Sequence, residues 1–163
     1  MSPLPPGIER VAQALAASPF DAAALCAAVD AFIQPVTGHA LFTVNALDAQ
    51  ALRLTRVYSS DPVAYPPGGT KDKRGMPWGQ HVLIDKQVFV GEGEQAIRAS
   101  FDDAAAIAAL RLRSILNVPV VEGGSCLGTL NLLMRSDWVS GDVKSIGTLA
   151  ALLVAPALRA RIA

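Results

Sequence analysis

The stretch NVPVVEGGSCLGTLNLL, residues 117–133, decides the fold. It holds two apolar runs separated by Gly123 and Gly124, a pair that favours the two-residue turn of a β-hairpin. A strand that faces water on one side alternates apolar and polar residues, and these two runs hardly alternate. The sequence therefore predicts a hairpin in the middle of a sheet, with other layers of the protein covering both of its faces.

A turn over the two glycines also predicts the register of this hairpin. The expected opposite pairs are Val121 with Cys126, Pro119 with Gly128, and Asn117 with Leu130. In this register one face carries Leu116, Val118, Val120, Leu127, Thr129, Asn131 and Leu133, and the other carries Ile115, Val121, Cys126, Leu130 and Leu132. A proline opposite a glycine removes bulk from the strand surface, which indicates either ordinary tight packing or the flat floor of a pocket.

The rest of the chain predicts one domain over residues 1–163, with N-terminal helices at about 8–37, a sheet and pocket region at about 39–134, and a C-terminal helix at about 140–161. Ser18 and Pro19 are typical of a helix start, and Gly38 of a helix end. Residues 39–47 and 51–60 predict two strands, and residues 101–112 predict a helix.

Residues 61–79 form a long segment with four prolines and four glycines. Loops of this length in compact domains are usually functional or disordered. We expect the terminal helices to cover one face of the sheet, which leaves this loop and short central helices over the other face. A thin and irregular cover of that kind favours a small-molecule cavity.

Composition limits the function classes. Of the 163 residues, 52% are hydrophobic and 17% are charged, and the formal net charge is zero. These values are typical of a globular domain, and we expect no nucleic-acid partner. The N-terminus shows no signal peptide and the most apolar segment, residues 149–158, is short for a membrane span, so we expect a cytoplasmic protein without a membrane partner. Cys26 and Cys126 make neither a disulfide framework nor a metal cluster, so we expect no metal, and the cofactor is unknown.

The hairpin from Ser114 to Leu133, with its VPV, Gly turn and LGTLNLL, resembles the GAF domain family. The segment RVYSSDPVAYPPGGTK, residues 56–71, is similar to the loop of a bacterial subgroup of that family. The resemblance covers the chain from about residue 20 to its end. It implies an α+β fold, with a central antiparallel sheet, terminal helices on one face and a small-molecule pocket on the other.

The resemblance also implies a class of function. Members of the family bind cyclic nucleotides, tetrapyrroles, amino-acid derivatives or 2-oxo acids, and many dimerise through the terminal helices to regulate an output domain. The residue set of cyclic-nucleotide binders has no match here, and no cysteine stands where a bilin would attach. Since the sequence ends with its last predicted helix, we expect no output domain in the same chain.

The residues give six candidates for ligand contact. Tyr65 and Trp78 lie in the long loop and combine an apolar body with a polar group. The other candidates, each with core packing, surface exposure or a structural hydrogen bond as its alternative, are Phe42, Tyr58, His81 and Asn131. The basic cluster of Lys71, Lys73 and Arg74 is interpreted as a solvated loop. We predict no catalytic residue.

These observations lead to one main hypothesis and two alternatives. The main hypothesis is a stand-alone sensory or regulatory domain that binds a small organic molecule beneath residues 61–79 and signals as a homodimer or through a partner. Val143, Ile146 and Leu153 form the expected dimer seam on the last helix. The alternatives are an enzyme of the free methionine sulfoxide reductase kind, which two thiols in different layers disfavour, and a purely structural dimerisation module.

Overall fold

Six antiparallel strands form one sheet in the computed structural model, which describes residues 6–161. The strands are β1 (Leu41–Asp48), β2 (Arg53–Ser59), β3 (Thr70–Asp72), β4 (Phe89–Glu92), β5 (Ser114–Glu122) and β6 (Ser125–Met134). Their order across the sheet is β3-β2-β1-β6-β5-β4. The β5–β6 hairpin therefore lies inside the sheet and is mostly buried on both faces, as its sequence predicts.

The helices divide between the two faces of the sheet. They are α1 (Ile8–Ala16), α2 (Ala22–Thr37), α3 (Pro77–Gly79), α4 (Glu94–Ser100), α5 (Ala104–Ala109) and α6 (Gly141–Arg159), and α3 continues into a π-helical turn over Gln80–Ile84. The long helices α2 and α6 pack on each other, α6 contacts β5 and β6, and α1 packs on α2. The shorter helices α3, α4 and α5 contribute to a separate apolar cluster on the other face. The predicted α+β architecture is confirmed.

Two of the predicted helix boundaries have the expected chemistry. The Ser140 hydroxyl accepts a hydrogen bond of 3.2 Å from the Val143 amide and caps α6. Gly38 ends α2 in the left-handed conformation, with φ at 62°. The N-cap of α2 is Asp21, whose Oδ1 accepts from the Ala24 amide at 3.1 Å, so the helix begins later than Ser18 and Pro19 suggest.

The helix predicted over residues 101–112 is shorter in the structure, where α5 covers only Ala104–Ala109 and a separate helix, α4, ends at Ser100. Phe101 adopts an extended backbone, with φ at −131° and ψ at 132°, and its ring is buried. Burial of this aromatic ring ends α4 and separates it from α5. Local propensity favours a helix that starts at Phe101, but the apolar surface removed from water at the Phe101 ring favours an extended backbone there.

A bulge changes the register of the hairpin. Val121 lies opposite Cys126 as predicted, but the next pair is Val120 with Gly128, which leaves Leu127 without an opposite residue. The two other predicted pairs are therefore wrong, since Pro119 lies opposite Thr129 and Asn117 opposite Asn131. A shift by one residue moves every later β6 side chain to the other face. Leu130 and Leu132 consequently join the helix-side core, and Leu133 joins the opposite cluster.

Helix α6 is long and apolar enough, by length and composition, to cross a membrane, with a mean hydropathy of 1.3. In this structure 44% of that segment is buried inside the protein. Its buried residues pack on α2 and on the two hairpin strands. The helix thus serves as a core helix of the domain.

Alkaline pH is expected to destabilise the fold through Cys26 on α2. Burial, and secondarily the Asp30 carboxylate, raise the pKa of this thiol to about 12 from 9.0. Between these two values the folded chain keeps a proton that the unfolded chain has lost, so stability falls as the pH rises, by up to about 1.4 kcal/mol per pH unit. Urea unfolding across this range measures the slope. The variant Cys26→Ala should lose less stability per pH unit than the wild type, because the other titrating groups contribute equally to both proteins. Equal slopes in the two proteins would contradict the role assigned to Cys26.

Candidate ligand-binding cavity

A cavity lies on the face of the sheet opposite α2 and α6. Alternate side chains of β1, β5 and β6 form its floor, and residues from the 61–79 segment, α5 and the end of α4 form its roof and walls. The volume of the cavity is about 50 Å³. The lining residues are Leu41, Thr43, Asn45, Leu54, Arg56, Tyr65, Gly69, Lys71, Lys73, Trp78, Phe101, Asp103, Ile107, Ile115, Asn117, Asn131 and Leu133.

Asp103, at the N-terminus of α5, holds the roof in place. Its Oδ2 accepts hydrogen bonds from the Lys71 ammonium at 2.5 Å and from the Tyr65 hydroxyl at 3.3 Å. Burial and the Asp103 carboxylate raise the pKa of Tyr65, so the phenol stays a hydrogen-bond donor. The Arg56 guanidinium lies over the Tyr65 ring, 4.8 Å from its centroid. One carboxylate therefore fastens two points of the long loop to α5.

Three side-chain hydrogen bonds in series cross the floor of the cavity. The Trp78 indole N–H donates to Asn117 Oδ1 at 3.0 Å, and Asn117 Nδ2 donates to Asn131 Oδ1 at 2.7 Å. Asn131 Nδ2 then donates to the Thr43 hydroxyl at 3.1 Å. The series depends on the bulged register that sets Asn117 opposite Asn131. It links the loop to β5, β6 and β1, and it satisfies the buried amide groups that the sequence placed in apolar strands.

Lys73 is buried, contrary to the solvated loop that the sequence suggests. Its side chain is only 2% exposed, and its ammonium lies 4.9 Å from the centroid of the Trp78 ring and 5.9 Å from that of Phe101. Burial, and secondarily the nearby Lys71, lower its pKa. The backbone packs closely here, because a Cβ on Gly79 would stand 2.5 Å from the Lys73 carbonyl oxygen. The cavity is thus bordered by an almost entirely buried lysine.

The structure brings three of the six candidate residues to the cavity. Tyr65, Trp78 and Asn131 line it, and their contact with a ligand stays a prediction. Asn131 makes structural hydrogen bonds to Thr43, which is one of the alternatives foreseen for it, and it also borders the cavity.

Phe42 and Tyr58 lie on the opposite face, among the residues packed by the terminal helices, which corrects their predicted place in the pocket. Phe42 alternates with the cavity-lining residues of β1 and so points away from them. On β2 a bulge sets Tyr58 opposite Val44 and Arg56 opposite Asn45, which turns Tyr58 to the helix side. There its hydroxyl donates to Asp30 Oδ2 at 3.1 Å.

His81 also lies outside the cavity. It is exposed, and its Nε2 donates to the Val88 carbonyl oxygen at 3.0 Å. With Phe89 and Met76 it borders a separate surface groove on the outer side of Trp78. Trp78 borders both this groove and the cavity, whereas His81 borders the groove and not the cavity.

Sequence reasoning missed several cavity residues, above all Arg56, Lys73, Asp103 and Asn117. Asp103 falls at the start of the helix predicted over residues 101–112, where helix capping alone explains an acidic residue. Asn117 carried a usable signal, since an amide within an apolar strand needs a partner, and a second amide follows at Asn131. The burial of Lys73 had no signal in a loop that also contains Asp72 and Arg74.

Comparison with solved structures shows the fold of a GAF domain. The chain matches the GAF domain of an Acinetobacter phosphoenolpyruvate-protein phosphotransferase with a TM-score of 0.73 and 13% identity, over 99% of this chain and 97% of that one. It matches the GAF domain of a Bacillus halodurans two-component sensor histidine kinase with a TM-score of 0.66 and 16% identity, over 82% and 90%. The predicted fold is therefore correct.

A third similar structure is the chromophore-binding domain of a bacteriophytochrome from R. palustris. The TM-score is 0.67 and the identity 10%, over 94% of this chain and 59% of that one. No protein-family model and no curated protein matches the sequence. The similar structures include domains of sensor proteins, and at these identities they define the architecture of this chain alone.

Proposed function

We propose that the chain is a sensory or regulatory domain that binds a small organic molecule in the cavity beneath residues 61–79. The observation that carries this proposal is that Lys73 is buried beside the cavity. Within residues 6–161 its ammonium has no hydrogen-bond or ion-pair partner. Charged groups in a protein interior are usually paired. The structural neighbours from a sensor histidine kinase and a bacteriophytochrome support a sensory role.

The size of the cavity restricts the ligand. Its volume of about 50 Å³ corresponds to room for roughly three to five water molecules. With the loop fastened by Asp103, this space suits a compact metabolite and is too small for a tetrapyrrole or a cyclic nucleotide. The ligand would contact both the loop and the sheet, so its binding would stabilise the loop in this position.

A thermal-shift screen with small polar metabolites tests the proposal. A ligand present at 100 times its Kd should stabilise the fold by about 2.7 kcal/mol, which raises the Tm of a domain of this size by several degrees. The matched control is Ile107→Phe, which places a larger side chain in the cavity wall. Stabilisation of the wild type alone supports the proposal. Equal shifts in both proteins, or none in either, would count against it and favour a structural module with a collapsed pocket.

The same proposal includes signalling through a homodimer or another partner, in the cytoplasm. The expected seam needs revision, because Val143 is buried on the sheet and Ile146 and Leu153 are partly buried against the core. The outward face of α6 instead exposes Leu149 and Leu152, the latter 64% exposed. This apolar pair is the better candidate for an interface.

Leu152→Glu is expected to convert a dimer to a monomer, since a charge at the centre of an apolar interface has no partner there. Light scattering or analytical ultracentrifugation measures the mass. The control is Val63→Glu, which makes the same kind of change at a loop residue that is 92% exposed. A monomeric wild type, or a dimer that tolerates the Leu152 change, would remove this surface of α6 from the proposal.

The enzyme alternative has less support. Cys26 lies in the helix-side core, while Cys126 packs against the cluster on the other face of the sheet. Burial raises the pKa of both thiols, whereas a redox-active cysteine requires a thiolate and an accessible partner. Within the described chain the two cysteines are free and are not placed for exchange with each other.

A further inference from the structure

The polar groups around the cavity leave an excess of positive charge. Arg56, Lys71 and Lys73 line it together with a single carboxylate, that of Asp103. This carboxylate is already bound to Lys71 through Oδ2. Arg56 uses Nη1 to donate to the Pro66 carbonyl oxygen at 3.1 Å. Within residues 6–161, no carboxylate oxygen lies within 4.0 Å of the Lys73 ammonium, and no hydrogen bond uses its three protons.

The surroundings of Lys73 compensate this buried charge only in part. The faces of Trp78 and Phe101 attract a cation. The penalty for removing an ammonium from water exceeds this attraction. The charges that act on it are those of Lys71, Asp102 and Asp103, and the first of these is repulsive. An anion in the cavity would supply the missing stabilisation.

Two atoms of the lining are themselves buried and have no hydrogen-bond partner within residues 6–161: the Nε of Arg56 and the Oδ1 of Asp103. A buried polar atom is normally satisfied by protein, water or ligand. The Arg56 Nε adds a fourth unused donor to the three of the Lys73 ammonium, so unused donors exceed unused acceptors. The amides of Asn117 and Asn131 are committed to each other and to their neighbours. The ligand is therefore expected to bring acceptor oxygens.

The remaining walls determine the rest of the ligand. Aliphatic side chains of Leu41, Leu54, Ile107, Ile115 and Leu133 border the cavity. A phosphate would require donors on several sides, whereas a carboxylate offers two coplanar oxygens at one end and leaves an apolar body for these walls. The volume limits that body to a short chain.

We propose that the cavity binds a small aliphatic organic acid, with its carboxylate on the ammonium of Lys73 and its short carbon chain against the aliphatic walls. This inference rests on the proposed function, since it names the ligand class of the same site. A hydroxyl on the acid would in addition satisfy Asp103 Oδ1. The recognition is noncovalent.

The two tryptophans of the chain make a sensitive test. Trp78 donates its indole N–H to the cavity floor, while Trp138 is 68% exposed in the loop after β6. The two indole N–H signals in a ¹H–¹⁵N spectrum are assigned with the variant Trp138→Phe. Propionate and lactate are then titrated in parallel with propionamide and lactamide, their uncharged counterparts of nearly the same shape. We expect the acids to move the Trp78 signal and leave Trp138 unmoved, and the amides to bind at least tenfold more weakly.

Three lysine variants complete the test. Lys73→Met keeps an apolar stem without the charge and should weaken binding of the acids about 10- to 100-fold, which is the value of a hydrogen bond to a charged group. Lys73→Arg keeps a cation and should retain part of the affinity. Lys144→Met, at an exposed site on α6, should change nothing. If Lys73→Met does not fold, the comparison of acids with amides on the wild type still shows whether the cavity requires a carboxylate.

Equal binding of acids and amides, or unchanged affinity in Lys73→Met, would overturn the organic-acid inference and leave the proposed function intact. Absence of any Trp78 response to the acids would also overturn it. The thermal-shift screen with uncharged metabolites then decides separately whether the cavity binds another small molecule.

Discussion

Replacing Gly128 with alanine is expected to prevent the chain from reaching its folded state. Gly128 lies on β6 at the centre of the sheet, opposite Ala46 of β1 and Val120 of β5. A Cβ at this position would stand 2.9 Å from a terminal methyl of Leu158, and it would overlap the backbone oxygen of Asn45. Gly128 and Ala46 form the last pair of the ladder between β1 and β6, so moving the Gly128 backbone aside would break that pair.

The expected loss is at least about 4–5 kcal/mol, which is exceptional for one methyl group and comparable with the whole stability of a small domain. Far-UV circular dichroism and amide NMR dispersion measure the folded fraction. Gly141→Ala is the matched control, since nothing lies within 4 Å of its added Cβ at the start of α6. A Gly128→Ala protein that unfolds cooperatively at the wild-type urea midpoint would show that the sheet packs differently here.

Trp78→Ala is the second large effect. The indole is buried between the loop and the sheet, packs edge-on against Phe101 and donates to Asn117. Truncation of a buried tryptophan typically costs about 3–5 kcal/mol, and the loss leaves the buried Asn117 oxygen without its donor. The substitution should therefore weaken the fold as well as any ligand binding, so a change in binding alone is not expected.

Urea unfolding of Trp78→Ala and Trp138→Ala shows whether the loss of stability comes from removing a buried indole or from removing any tryptophan. The exposed Trp138 should change stability by no more than about 0.5 kcal/mol. Comparable losses in the two variants, or a stable Trp78→Ala protein, would contradict the view that the 61–79 segment is packed on the sheet through this indole.

The architecture was predictable because its signals are strong and local. The hairpin lacks alternation, so both of its faces had to be buried, and the caps and apolar spacing of α2 and α6 identified the helices that cover one face. Tyr65 and Trp78 were found because large amphipathic side chains in a loop rich in proline and glycine are usually packed against something.

The errors arise where one extra residue changes the face of a strand. The bulge at Leu127 moved Asn131 beside Asn117, and the bulge on β2 moved Tyr58 to the helix side. Neither bulge has a local sequence signature, because each depends on how neighbouring strands pack. The buried Lys73 was missed for a related reason, since its position depends on the fold of the whole 61–79 segment around Trp78.

The most direct test of the cavity is native mass spectrometry of the wild type and Ile107→Phe, mixed in one tube with the small-metabolite extract of the cells that make the protein. The two proteins differ in mass, so adducts on each are separated in one spectrum. We expect a single small adduct on the wild type and none on the variant. Equal adducts on both proteins, or none on either, would contradict a ligand-binding cavity beneath residues 61–79.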